Sequence, residues 1–415
     1  METEIAQIKQ EAPNSFIKRN MSLIVSTSAI GSIAEAIYTL CVSWYVLERT
    51  GSAFLTSAIA AISFIVNVFA GPFIGVLVDR TNPKSAMQKA YIAMALIGVV
   101  LALSYVFFID YIVFSVMVMV ILNDVAQLFI FPSRNRLLPS LIGKDRIPIV
   151  SGYLSSANNT ASLLGNAIAG FLLSLIGFIG VLLTHSVLFI LAAALVKWLV
   201  LPKYESKKIQ QNQKKKEFWK EFKEGVKILR GHNALLALTF MNMGTNIVSI
   251  GYLYIVLLKT QYGATSSQYG FFEAIGVAVS IVTGLFAGKV VKKIKPVIIL
   301  SGAQIISCSC MVLLGTVNEL VFAFILFAIQ TFFSIFQGVV VGTLFITLVD
   351  AKYRARVDSL VTSISAFMMP ATVFLGGYLA DHIPIRYIFY FAGTWAMLMG
   401  LAPLFSKDVR GLKKI

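Results

Sequence analysis

Apolar runs long enough to cross a bilayer recur from one end of this 415-residue chain to the other. A hydrocarbon core about 30 Å thick takes about 20 helical residues. No water completes backbone hydrogen bonds there, so only helices or closed barrels cross it. Barrel strands would alternate over about ten residues, whereas these runs are longer and continuous. The reading is an all-α membrane protein with twelve spans. Spans 1–6 are expected at about 20–47, 53–78, 87–108, 111–131, 150–176 and 179–200. Spans 7–12 are expected at about 234–258, 268–290, 296–317, 320–346, 357–381 and 385–405. The chain is 13% charged, about half the usual share of a soluble domain, and no segment could hold a separate enzyme domain. Lys18 and Arg19 precede the first run as they would in a signal peptide. That run exceeds the 7–15 residues of a secretory core, so it is expected to be a retained span.

The formal net charge is +16, which could suggest a nucleic-acid partner. Its placement argues against one. With twelve spans, 32 of the 35 Lys and Arg residues fall on one side, and Arg49, Lys259 and Arg386 on the other. The positive-inside rule then puts both termini in the cytoplasm and the chain in the cell membrane. The basic excess is a topology signal. Cys41, Cys308 and Cys310 lie inside apolar runs, and His185, His232 and His382 are dispersed. Neither set has ligand spacing, so no metal or cofactor is expected.

Six spans, a basic linker and six more spans indicate a duplication. The divisions are 1–201, a linker at 202–233, 234–406 and a tail at 407–415. The linker carries Lys214, Lys215 and Lys216, then Phe218, Phe222, Val226 and Leu229 on one helical face. An amphipathic helix on the membrane surface is expected there. After span 2 the chain reads Gly71-PFI-Gly75-VLV-Asp79-Arg80, and after span 8 Gly284-LFA-Gly288-KVV-Lys292-Lys293. Small residues four apart permit close helix contact. A weaker echo relates Ser140-Leu141-Ile142 to Thr347-Leu348-Val349. Two six-helix bundles related by an axis along the membrane normal are a transporter plan.

The stretch from Gly75 through Asp79, Arg80, Asn82 and Pro83 to Lys84 resembles the signature loop of the major facilitator superfamily between spans 2 and 3. Asn82 and Pro83 stand where that family usually has Gly and Arg. Leu47-ERTGSA, Pro132-SRNRLL-Pro139, EGVKILR, Gln261-YGATSSQYGFFEA and Arg354-Ala-Arg356-Val357 are similar to one branch. That branch is the drug–proton antiporters, including macrolide efflux proteins and enterobactin exporters. The resemblance covers nearly the whole chain and implies a monomeric, alternating-access exporter of hydrophobic or amphipathic compounds in exchange for protons. Two motifs depart from it. Many members have an Arg in span 4, where this chain has Asn123 followed by Asp124. Span 5 usually has a Gly-Pro motif, and here reads Gly165-Asn166-AIA-Gly170.

Three acids lie well inside spans: Glu35 in span 1, Asp124 in span 4 and Glu273 in span 8. A charge at a helix centre costs about 2.5–3.5 kcal/mol, and no Lys or Arg falls near the middle of any span to offset it. A carboxyl group kept from water favours its protonated form, which proton coupling requires. Glu35, Asp124 and Glu273 are therefore the candidates for proton coupling or substrate contact. The competing reading is a neutral acid hydrogen-bonded to a neighbour such as Gln127 or Asn158. Gly71, Gly75, Asp79, Arg80, Lys84 and Asp358 form a candidate gating motif. The resemblance implies that Asp79 docks on the positive N-terminal end of span 11, with Asp358 meeting Arg80. Asn67, Asn159, Asn242, Asn246, Gln304, Gln330 and Gln337 also lie along spans, facing either a cavity or another helix. Phe332, Phe333 and Phe336 read as packing or lipid-facing residues.

The expected function is proton-driven export of a drug or macrolide-like compound. A siderophore, peptide or lipid fits the same fold, and a non-transporting sensor or scaffold is the reading from another class. An ATP-driven pump is disfavoured: G-x-x-x-x-G-K-[ST] is absent, and Gly284–Lys289 comes one residue short of it. No enzymatic activity is expected.

Overall fold

A computed structural model describes residues 14–143, 146–200, 226–248, 250–349 and 354–411, and their regular structure is entirely helical. Span 1 is Asn14–Thr50, span 2 Ala53–Asp79 and span 3 Pro83–Phe107. Span 4 has two pieces, Ile112–Gln127 and Ile130–Ile142. Span 7 is Asn233–Asn246 followed by Tyr254–Tyr262, span 8 Ser266–Val291, span 9 Pro296–Thr316 and span 10 Leu320–Leu348. Span 11 is Arg354–Ala366 followed by Met369–His382, and span 12 is Ile385–Gly400. By length and hydropathy the described residues make 11 candidate membrane spans, one fewer than expected.

The difference lies at spans 5 and 6, which run together as Ile147–Trp198, 52 residues. At 1.5 Å per residue such a rod would measure about 78 Å, more than twice the hydrocarbon thickness. Its path breaks at Gly177, where φ is 68° and ψ is 179°. Positive φ suits a residue without Cβ, and the break divides the segment into two crossings.

The departures at Asn82 and Pro83 have a local reason. Asn82 Oδ1 accepts from the backbone N–H groups of Lys84 (3.0 Å) and Ser85 (3.2 Å). Asn is a favoured N-cap, and Pro83 occupies the first helical position, where no N–H is needed. Span 8 starts with a capping box between Thr265 and Gln268.

Span 4 extends further than the expected end at about 131: Pro132 sits in the first turn of Ile130–Ile142, where proline is tolerated. The helix stops at Gly143, φ 80°. Arg134 and Arg136 are therefore on a helix within the apolar segment Ile109–Ile142, and not in a loop. The expectation that span 4 ends at about 131, which left Arg134 and Arg136 after it, is corrected.

Spans 7 and 11 are broken. Pro370 follows the break at Phe367 and Met368, because proline removes an N–H and clashes with the carbonyl four residues earlier. Side chains satisfy carbonyls near both breaks. Asn246 Nδ2 donates to Ser365 O (3.1 Å), and Tyr252 Oη to Thr372 O (3.1 Å) and Val373 O (2.9 Å). Trp395 Nε1 donates to Gly244 O (2.8 Å). Irregular backbone at membrane depth persists only where protein or trapped water satisfies it.

The described residues within Met1–Leu40, Val66–Ala169 and Ile176–Asn212 form one compact unit, and those within Cys41–Ile65, Gly170–Leu175 and Gln213–Ile415 a second. The first has a core around Tyr91, Met94, Leu137, Leu141 and Phe189. The second has one around Met241, Leu300, Phe336 and Val340. Phe336 is buried, and Phe332 and Phe286 surround it with ring centroids 5.1 and 6.0 Å away. In the linker, Lys214–Lys216, Phe218 and Phe222 lie outside the described residues. Residues 226–231 are helical, and Val226 and Leu229 pack with Val349, Val357 and Leu360, so this face meets protein.

Close helix contact falls elsewhere than expected. A Cβ built at Gly71, Gly75, Gly284 or Gly288 would meet nothing within 4 Å. At Gly165 it would lie 2.8 Å from Ala36 Cβ and 3.0 Å from Ile33 O, so spans 1 and 5 touch there backbone to backbone. Gly165→Val is expected to destabilise the protein by about 1–3 kcal/mol through overpacking, read as a lower melting midpoint in detergent. Gly284→Val, where space is open, should leave the midpoint unchanged.

Candidate functional site

Glu35 and Asp124 both lie in the first unit, and Asn123 connects span 4 to Glu35. Asn123 is 1% exposed, and its Nδ2 donates to both carboxylate oxygens of Glu35, at 3.0 and 3.2 Å. Thr39 Oγ1, one turn along span 1, donates at 3.4 Å. Asp124, the next residue after Asn123, is also buried. The expected alternative partners of Glu35, Gln127 and Asn158, instead line a cavity. The position at which the resembling family carries Arg is thus occupied by the amide that holds Glu35. An amide orients the carboxyl group without fixing its charge, whereas a guanidinium would fix it as an anion.

The third acid, Glu273, is in the second unit. Its polar neighbour is Tyr269, one turn earlier. Tyr269 stacks on Trp44 with centroids 5.8 Å apart, and Lys259 Nζ lies 4.8 Å from the Trp44 ring and 3.4 Å from Glu48 Oε1. The sequence did not join these five residues.

In the candidate gating motif, the side chains of Asp79 and Asp358 lie outside the described residues, and so does any pairing of either. Arg80 is exposed. Lys84 Nζ donates to Lys197 O (2.9 Å) and Leu199 O (2.6 Å) at the end of span 6. Arg136 Nη1 donates to Val78 O and Thr81 O at the end of span 2. A cation at a helix C-terminus meets unpaired carbonyls and the negative end of the dipole. Gly71 lines the cavity with Gln127 and Asn158.

Asp381 was not singled out from the sequence. In the second unit it accepts from Ser52 Oγ (2.6 Å), Ala53 N–H (2.5 Å) and Phe54 N–H (3.1 Å), at the first turn of span 2. The carboxylate at the end of span 11 therefore caps another helix at its positive end. Gly377, one turn earlier, packs against Ser57 and lies where a Cβ would come 3.0 Å from Ala53 O. Among the remaining polar residues, Gln330 Oε1 accepts from Tyr254 Oη (2.9 Å), and Gln304 Nε2 donates to Ala396 O (3.3 Å). These are helix-to-helix contacts. No cluster of three or more His, Cys, Asp or Glu residues able to hold a metal occurs among the described residues.

Asp381→Ala is expected to destabilise the protein by about 1 kcal/mol, the size of a lost helix cap, seen in a detergent melt. A cysteine placed at Ser52 should also react faster with a membrane-impermeant maleimide in that variant; equal rates would show that the clasp does not hold the start of span 2.

Comparison with known proteins agrees with this architecture. The family model described as Major Facilitator Superfamily matches residues 24–371. Macrolide efflux protein A of Streptococcus pyogenes is 24% identical over 390 residues, covering 92% of this chain and 95% of that protein. A protein of the same name from Enterococcus faecalis is 24% identical over 326 residues, covering 77% and 99%. Among solved structures, a bacterial homologue of the human lysosomal transporter Spinster superposes with a TM-score of 0.68 at 12% identity, covering 94% of this chain and 95% of that one. The chain belongs to the Major Facilitator Superfamily and is a multi-pass membrane transporter, not an enzyme.

Proposed function

We propose that this transporter exports a hydrophobic or amphipathic compound, of the drug or macrolide-like kind, in exchange for protons. The observation that carries the reading is the carboxyl group of Glu35, inside a membrane span and held by the neutral amide of Asn123. A carboxyl group in such a place can change its protonation during a transport cycle. Asp124 beside it makes the pair the coupling site, and Glu273 is a second coupling or substrate position in the other unit. The name of the streptococcal relative supports the export of such a compound. The transporter acts as a monomer in the cell membrane with both termini in the cytoplasm, supported by the concentration of Lys and Arg in the segments on one side of the spans.

Alternating access in this reading moves two six-span halves about the linker at 202–233. Gly71, Gly75, Asp79, Arg80, Lys84 and Asp358 form the gate on the basic side. Its support is the position of Asp79 at the end of span 2 and of Asp358 near the start of span 11.

The decisive experiment is a susceptibility panel on an overexpressing strain, with and without a proton uncoupler. Protection against a few related compounds, lost with uncoupler, is expected. Protection that survives uncoupling would overturn proton exchange. In everted vesicles, Glu35→Gln should insert normally and lose proton-dependent uptake; retained uptake would remove Glu35 from the coupling site. Asp79→Asn should reduce transport with insertion intact, and unchanged transport would count against the gate.

A further inference from the structure

Arg134 has no part in the mechanism above. It projects from the second piece of span 4 into a cavity of about 420 Å³ built wholly within the first unit. Nη1 donates to the neutral hydroxyl of Ser28 at 3.0 Å. The guanidinium carbon lies 5.3 Å from the centroid of Phe131. Nε is buried with no acceptor, and no carboxylate lies within ion-pair distance among the described residues. Glu35 is engaged by Asn123.

A guanidinium cannot discard its proton. In a membrane span it normally faces an acid or a water-filled path. Here it faces a cavity and keeps a donor unspent. Asn67, Gln127 and Asn158 line the same cavity and offer amide donors without charge. Met94 and Leu128 line it as well. A fixed cation, neutral donors and apolar side chains lining one cavity are complementary to an amphipathic anion.

We propose that Arg134 is the recognition point for a carboxylate or phosphate group on an amphipathic compound bound in this cavity. The compound's status as exported cargo rests on the exporter reading above; its binding does not. Planar, forked donors suit both oxyanions. The source is either a soluble amphipathic acid or an anionic membrane lipid, because both present that chemistry.

The test uses the full-length protein in phosphatidylcholine nanodiscs with radiolabelled dodecanoate as probe. Saturable binding is expected, displaced by dodecyl phosphate but not by dodecanol or dodecyltrimethylammonium. Arg134→Gln should weaken binding about ten- to hundredfold, the scale of a lost charge-assisted hydrogen bond, and Arg134→Lys should retain part of it. Size-exclusion profiles establish that each variant is folded. The comparison of anionic with cationic probes needs only the native protein, so it stands if a variant fails to fold. Nanodiscs containing phosphatidylglycerol separate the sources: displacement of dodecanoate assigns the site to a membrane lipid, and undiminished binding assigns it to a soluble acid. Equal displacement by dodecyltrimethylammonium, or unchanged binding in Arg134→Gln, overturns the proposal. Arg134-dependent binding in a protein that exports nothing from the susceptibility panel would sink the exporter reading alone.

Discussion

Inside a bilayer every backbone polar group must find its partner within the protein, and the rest of this structure depends on that constraint. It makes the described residues helical. It also governs where helices stop being regular. Spans 7 and 11 each break, at Asn246 and Ala366, and Asn246 itself donates to Ser365 O beside the second break. Tyr252 and Trp395 supply further donors to carbonyls of spans 11 and 7. The breaks are stable because these side chains stand in for absent water.

Helix ends pose the same problem with a sign attached. Free carbonyls at a C-terminus favour cations, and free amides at an N-terminus favour anions. Lys84 and Arg136 end at the carbonyls of spans 6 and 2, and Asp381 ends at the amides that open span 2. Two of the basic residues in the charge count, Lys84 and Arg136, therefore also secure helix termini. Lys84 serves both purposes from within the motif that the family resemblance assigns to gating.

Two polar centres occur in the first unit, and they solve desolvation differently. Glu35 meets an amide, which accommodates a carboxyl group in either protonation state. Arg134 has no such latitude, since its charge is permanent, and its cavity leaves room for an anion from outside the chain. The apolar run in the sequence ended span 4 at about 131 and left Arg134 after it, whereas the helix continues through Pro132, because proline in a first turn leaves a helix intact.

Periodicity and length in the sequence determined the spans, and the count of Lys and Arg determined their expected direction, because lipid imposes both through local chain properties. Asn82 followed by Pro83 is a helix-start signal, yet the expected start of span 3, at about 87, falls four residues late. The glycines show the limit of local patterns. Gly71 and Gly75 have the spacing for close contact yet meet nothing, while Gly165 packs against Ile33 and Ala36. Only the tertiary structure could pair Asn123 with Glu35, 88 residues apart, or Asp381 with Ser52, 329 apart. Spacing fixes which face of a helix a residue occupies; which other helix meets that face depends on packing across the whole chain.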